Sequence, residues 1–554
     1  MSARQLTKLF SFICALALLA PIVVGCTTQP ATAPAAPTQP PAAQPAATQA
    51  PAPTKAPAPT QAPTAAPKPK VLKMARIYEP ASVFIPWQID DNPSLFVSVN
   101  VYDSLLRMTP DGLGVEPGLA TKWEPAADGL SWTFTLRDGV KYSDGNPLKA
   151  EDVKTSIETV AKSEKSAWSS NYKAIKGVDV VDDKTIKVNL TEPFAPLPSV
   201  MAMFCAAILP SDLAKASDAK DFDVTTAWKT RGTGAYMVDG WKKGDPIILK
   251  RNPYYWKGKP DVDEIDIQYV PDDNTRILQL QGGEVDVIDF VPLSQLASLG
   301  SQPNIKTQAF TIAQVYFILL NNEKKPLDDK KVRQALNYAT DKDAIAKTVF
   351  FGQAKVANAP IPPGMYQAKD LPGYPFDLDK AKQLMKESSA PNGFTLDMQV
   401  RSGNADYTNI ATIVKDEWAK IGVNVNLQNL ETSVVRTNYR AGTYQSMPSG
   451  WTNDMNDPSQ IVNYEMRSGP GSQFAYWTRY SNPTLNDQIT KADLELDPTK
   501  RATMYADIQK TFQDAAPLVW LAYTPATAGW RDYVQGFFID GISYYRFETV
   551  KLNK

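Results

Sequence analysis

Cysteine, histidine and carboxylate usage sets what chemistry this chain can support. It holds three cysteines and no histidine. Cys26 closes the stretch Val23-Val24-Gly25-Cys26, directly after an apolar run, so its thiol stands where an exported chain would be cut and modified. Without imidazole there is no Ser-His-Asp or Cys-His nucleophile pair, no HExxH zinc site and no histidine-bound metal. Hydrolysis by a pair of carboxylates remains open in principle, although no spacing singles out such a pair. Cys14 lies inside the apolar run, which leaves Cys205 without a partner and removes any disulfide framework. In Met201-Ala-Met-Phe-Cys-Ala-Ala-Ile it reads as a buried small hydrophobe. The 58 basic residues nearly match the 59 acidic ones, so no electrostatic footprint for nucleic acid exists. Nothing calls for a cofactor.

The elements that must position these residues begin with an export signal. Arg4 and Lys8 precede an apolar run from Leu9 to Val24, and small residues precede Cys26. No charged stop-transfer segment follows, so 1–25 is expected to be a signal peptide rather than a membrane span. The cut site resembles the lipobox of bacterial lipoproteins, in which the cysteine receives a diacylglyceryl group and becomes the new N-terminus. Acyl chains contribute about 0.8 kcal/mol per buried CH₂, so a lipidated Cys26 could anchor the chain outside the cytoplasm. From Thr27 to Lys70 only Ala, Pro, Thr, Gln and Lys occur. Such a segment cannot bury enough apolar surface to fold, and its frequent proline favours extended polyproline II. Residues 26–70 are therefore read as the anchor and a stalk, with a reach somewhat above ~100 Å at about 3.1 Å per residue.

Roughly 480 residues remain, enough for two or three domains. Trp132, Phe134 and Leu136 alternate with polar neighbours, as do Ile186, Val188 and Leu190, then Ile265, Ile267 and Tyr269, then Val423, Val425 and Leu427. These predict strands, whereas Val153, Ile157 and Val160 share one helical face. Thr340 with Asp343 predicts a capping box opening a helix that carries Ile345 and Val349. Asp-Gly at 128–129, 138–139 and 144–145 and Gly-Gly at 282–283 mark turns. No 20–50-residue repeat is visible. The class is α/β.

Several blocks in sequence order resemble the family 5 solute-binding proteins of ABC importers, the peptide- and nickel-binding type. The first runs from Val101-Tyr-Asp-Ser-Leu-Leu-Arg through Pro117-Gly-Leu-Ala-Thr-Lys-Trp-Glu and Asp128-Gly-Leu-Ser-Trp-Thr-Phe-Thr-Leu-Arg-Asp-Gly-Val-Lys-Tyr-Ser-Asp-Gly to Ala150-Glu-Asp-Val. Gly232-Thr-Gly-Ala-Tyr, Arg251-Asn-Pro-Tyr-Tyr-Trp, Val332-Arg-Gln-Ala-Leu-Asn-Tyr-Ala-Thr-Asp, Trp418-Ala-Lys-Ile-Gly-Val, Gly450-Trp-Thr-Asn-Asp-Met-Asn-Asp-Pro and Tyr480-Ser-Asn-Pro-Thr-Leu follow. Most of these residues are expected to set turns or core. The resemblance implies a two-lobed periplasmic-binding-protein fold with a hinge, an extra inserted domain and the ligand in the interlobe cleft. It implies one lobe from 71–102, 230–312 and 525–554, an inserted domain at 103–229, and a second lobe at 313–524.

It also implies a membrane-tethered monomeric receptor, not an enzyme, that passes short peptides to the transmembrane subunits of a permease. Peptide binders of the family pair the ligand backbone with cleft strands and meet its ammonium terminus with an Asp in a Trp-x-x-Asp-x-x-Asp/Glu-Pro segment. Here Asp454 matches, following Trp451, and Gly450 and Thr452 would supply the strand pairing. The alternative for Asp454 is a turn or helix cap beside Pro458. Dipeptide-type members hold the ligand carboxylate with an arginine that corresponds to Arg401, although Ser402-Gly-Asn-Ala departs from their pattern. Trp451, Tyr439, Tyr444, Tyr464, Tyr476 and Trp477 could instead stack on sugar rings, so an oligosaccharide is the alternative ligand. An anchored glycan hydrolase is the reading from another class.

Overall fold

Three β-sheets carry the architecture of this computed structural model, which describes residues 68–80, 84–89, 91–223, 229, 231–361, 371–468 and 478–554. Cys26, the signal segment, nearly all of the stalk, Tyr476 and Trp477 lie outside the described residues. Pro67–Lys554 packs as a single unit. Its mixed α/β organisation is that of a two-lobed periplasmic binding protein.

The first lobe is built on a seven-stranded sheet centred on Val71–Arg76. That strand lies parallel to Glu264–Tyr269 on one side and to Val287–Asp289 on the other. Its alternation feeds two cores. Leu72 and Met74 join the large cluster on one face, and Ala75 joins Ile277, Leu280 and Leu299 on the other, under helices Asp273–Gly282 and Leu293–Gly300.

A six-stranded sheet forms the second lobe. Its order is Lys355–Val356, Leu518–Tyr523, Gln314–Leu320, Ser446–Thr452, Phe394–Arg401 and Val423–Leu430. Strand Gln314–Leu320 also serves two cores, with Ile318 and Leu320 on one face and Val315, Phe317 and Leu319 on the other. Helices cover both faces, among them Ala405–Ala419 and Pro498–Ala515.

A four-stranded antiparallel sheet completes the fold, in the order Ala120–Pro125, Ser131–Leu136, Thr185–Leu190 and Ile175–Asp182. Helix Ala150–Lys162 packs on it through Val153, Ile157 and Val160, the face its spacing predicts. Gly129, Gly139 and Gly145 take left-handed backbone in the Asp-Gly turns.

Among the described residues the chain passes between the two large sheets at two short connections, 311–313 and 524–525, which lie side by side. Strand Ile305–Phe310 pairs with Ala526–Arg531 before the crossing, and Gln314–Leu320 pairs with Leu518–Tyr523 after it. Thr524 Oγ1 and Gln314 Oε1, 2.7 Å apart, tie the two connections together.

Several motif residues act within the fold. The Asp103 carboxylate accepts from Thr233 Oγ1 at 3.2 Å and Trp256 Nε1 at 2.9 Å, joining the first block to the second. A Cβ on Gly232 would stand 1.8 Å from the Val101 carbonyl oxygen, so only glycine admits this backbone approach. Arg333 donates to the carbonyls of Leu327 (2.8 Å) and Ala515 (2.9 Å), tying a helix to the end of another. Cys205 is fully buried, as its apolar surroundings predict.

One expected element differs. The helix carrying Ile345 spans Lys342–Thr348 and is capped by Asp341, whose carboxylate accepts from Ala344 N at 2.9 Å. Thr340 is not the cap: its hydroxyl donates to Leu336 O and accepts from Trp418 Nε1 at 3.0 Å. The buried indole claims the hydroxyl, and the neighbouring carboxylate takes the helix terminus, where its charge is favoured.

Candidate ligand-binding cleft

Strand Ser446–Thr452 leaves part of one edge open. Asn453 N donates to Ala313 O at 2.9 Å, where the antiparallel ladder with Gln314–Leu320 begins. Hydrogen-bonded pairs alternate along such a ladder, so 449, 451 and 453 face that strand. Gly450 and Thr452 therefore turn their amides to the opposite edge. On that side Ser446 registers with Met398, and no described strand pairs with the residues beyond it.

The open edge faces a cavity of about 440 Å³. Gly450, Trp451, Thr452, Asp454, Tyr464 and Gln314 line it from the second lobe's elements. Leu95, Ala167, Trp168 and Phe204 line it from helix Asn92–Val101 and the region of the four-stranded sheet, with Asp91, Asn92 and Arg436 completing the wall. The cavity falls within the ~300–1,000 Å³ range of small-molecule sites. Trp451 and Tyr464 meet with ring centroids 5.2 Å apart.

Asp454 is half-buried on this wall and caps no helix. Its carboxylate accepts from Gln460 Nε2 at 3.0 Å, while its own amide donates to Gln460 Oε1 at 2.8 Å. Burial pushes the Asp454 carboxyl up to about 7, with the Gln460 hydrogen bond pulling the other way. A half-buried carboxyl with no cation paired to it among the described residues is poised to take a cationic partner. The turn role belongs to Asp457, whose Oδ1 accepts from Ser459 N at 2.8 Å and which pairs with Arg501.

Of the residues the sequence singles out, Gly450, Trp451, Thr452 and Asp454 come together on one cavity. Arg401 does not line it. It ends strand Phe394–Arg401 half-buried, with its guanidinium 5.6 Å from the Tyr407 ring centroid. The Tyr407 hydroxyl in turn lies 3.5 Å from where a Gly450 Cβ would stand. Arg401 is thus one aromatic side chain removed from the open edge. Tyr444 is core, and Tyr439 packs against it. Among the described residues no group of three or more His, Cys, Asp or Glu side chains could hold a metal. No helix among them is long and apolar enough to cross a membrane.

Comparison with known proteins agrees with this geometry. Residues 114–473 match the family model for bacterial extracellular solute-binding proteins, family 5 (middle region). The dipeptide-binding protein of Escherichia coli K12 is 30% identical over 496 residues, covering 83% of this chain and 92% of that protein. Heme-binding protein A of Haemophilus influenzae is 29% identical, covering 82% and 87%. The ABC transporter-associated periplasmic binding protein DppA of Helicobacter pylori, solved with the peptide STSA, matches with a TM-score of 0.76 and 28% identity, covering 87% of this chain and 98% of that one. This chain belongs to the bacterial extracellular solute-binding proteins of family 5.

Proposed function

We propose that this protein is the membrane-tethered receptor of an ABC importer and that it captures short peptides in the interlobe cleft. One observation carries the reading: the outward amides of Gly450 and Thr452 and the carboxylate of Asp454 share one cavity wall. An extended peptide adds to such an edge as a further strand, so main-chain bonds supply affinity across many sequences. Its ammonium terminus then pairs with Asp454 in a charge-assisted contact. Calorimetry with a panel of di- to pentapeptides should give saturable one-to-one binding, and a panel without heat at any length would sink the reading.

The lobes are taken as 71–102 with 230–312 and 525–554, and 313–524, with 103–229 inserted. Closure bends the paired connections at 311–313 and 524–525, and the closed monomer docks on the permease. Acylated Cys26 keeps it near that permease. Cys26→Ser is expected to move the protein from the membrane fraction to the soluble fraction and to remove the acyl mass. Unchanged fractionation would refute the anchor.

A second ligand reading rests on the aromatic wall. Trp168, Trp451 and Tyr464 could stack on the apolar faces of sugar rings, making the cargo an oligosaccharide. Native mass spectrometry of the purified protein separates the two. Co-purified masses differing by amino-acid residues support peptide, and hexose spacing supports sugar.

A further inference from the structure

A turn near the C-terminus touches both the hinge and the cavity wall. It spans 540–544, closed by the Ile539–Tyr545 bridge and by Asp540 Oδ1, which accepts from Tyr544 N at 2.7 Å and Ile542 N at 3.2 Å. Asp540 and Tyr544 are both buried, so the turn is shaped from within. It is also seated against 110–112: Gly541 N donates to Pro110 O at 3.1 Å, and a Cβ on Gly541 would stand 2.3 Å from Asp111 O. From this seat the Gly541 carbonyl accepts from Ala313 N at 2.7 Å, within the connection 311–313. Ala313 O accepts in turn from Asn453 N at 2.9 Å. The Tyr544 hydroxyl donates to the main-chain carbonyl of Asp454 at 3.2 Å. Because Asn453 and Asp454 are neighbours, these bonds close a ring through the hinge, the turn and the residue whose carboxylate faces the cavity.

We infer that Tyr544 is a positioning residue that couples ligand capture at Asp454 to the hinge at Ala313. The inference rests on Asp454 meeting the ligand, as proposed above, and goes beyond that contact. Every other link of the ring is main chain. Tyr544 alone contributes a side chain, and it joins the segment that follows the seven-stranded sheet to a residue that follows a strand of the six-stranded one. A bond made across the hinge changes with the angle between the lobes, so its free energy biases that angle; a contact equal in both arrangements would bias nothing. Ala313 is held at its amide and at its carbonyl, so a shift of Asp454 reaches the hinge backbone through contiguous bonds. The Tyr544 ring also lies 6.3 Å from that of Phe204, another wall residue of the same cavity.

The test follows amide exchange by mass spectrometry over 311–314 in the full chain, with and without the strongest binder from a dipeptide library. In the parent, saturating dipeptide should slow exchange there by about 2- to 10-fold. Tyr544→Phe should bind the same dipeptide about 2- to 10-fold more weakly and, once saturated, show no slowing at 311–314. Tyr545→Phe is the control, since its hydroxyl points to Asp289 Oδ2 at 3.5 Å and lies outside the ring; it should keep the parent's slowing. A merely structural Tyr544 would instead raise exchange equally with and without dipeptide and preserve the slowing, which would overturn the coupling. Equal loss of slowing in Tyr545→Phe would overturn it too. So would a parent that binds dipeptide without slowing at 311–314, a result that needs no variant and leaves the peptide reading intact. A parent that binds no library member would overturn the peptide reading and this inference with it.

Discussion

Asp454→Asn is expected to weaken peptide binding by about 2–5 kcal/mol, between roughly 30-fold and several thousand-fold. Asparagine keeps the shape and can still accept from Gln460, so the variant removes charge alone. The peptide ammonium would then be enclosed without a counter-charge, which carries most of the cost. The pH dependence has a definite sign. Burial holds the unliganded Asp454 carboxyl at about 7, and an ammonium at the site favours the ionised form, so binding expels a proton below that pH. Affinity should rise with pH up to about 7 and then level, changing by up to about tenfold per unit in the sloping region. The same shift acts on stability in the opposite sense. A carboxyl raised on folding binds more protons folded than unfolded, so its contribution falls as pH rises from the ordinary carboxylate range towards 7. Asp454→Asn should therefore unfold at a slightly higher temperature than the parent at pH 8 while binding far less peptide. Calorimetry across pH 5 to 8 checks both parts. A flat pH profile in the parent, or undiminished affinity in the variant, would remove Asp454 from the site.

How much of this could be read from the sequence depends on how far each feature reaches along the chain. Strand Ser131–Leu136 and helix Ala150–Lys162 were legible because burial on one face imprints a period on a few adjacent residues. Asp454 was legible only through the segment it belongs to, with Trp451 before it and Pro458 after. Periodicity alone gives it no distinction from Asp457, three residues on, whose carboxylate is spent on Arg501. The helix start at Asp341 was misplaced onto Thr340 because the deciding contact, the Trp418 indole, is 78 residues away. Arg436 left no local signal at all. It sits on a helix with the polar and apolar mix of any surface helix, and what sets it apart is a wall assembled from Leu95, Phe204 and Gly450. Arg401 ends its strand outside the residues that line the cavity, 5.6 Å from the Tyr407 ring centroid, and nothing in its own segment announces that placement.

Arg501→Met is expected to cost about 3–5 kcal/mol of folding stability. Both partners of the Asp457–Arg501 pair are 2% exposed, and the contact is bidentate, with Nη1–Oδ2 at 2.5 Å and Nη2–Oδ1 at 2.8 Å. Arg501 also donates to Ala492 O at 2.9 Å and to the Tyr505 hydroxyl at 2.8 Å, so its loss strands acceptors as well as a carboxylate. Burial alone would push the Asp457 carboxyl up, but Arg501 and the Ser459 hydrogen bond outweigh it and hold it below the ordinary carboxylate range. A pKa depressed on folding contributes stability that is complete above the unfolded value near ~3.9 and is lost as pH falls through the lower folded value. The parent should therefore keep this contribution until pH falls through the lowered folded value, whereas Arg501→Met lacks it at pH 7 already. The pair holds the segment that leads into helix Ser459–Ile461, where Gln460 fixes both the amide and the carboxylate of Asp454. Destabilisation here reaches the cleft, and peptide affinity should fall with stability. Asp457→Asn combined with Arg501→Met leaves no unpaired buried charge and should recover a substantial part of the lost stability. Denaturant unfolding of the parent, the single variant and the double variant decides the matter. A single variant within about 1 kcal/mol of the parent would show that the pair contributes little to the fold.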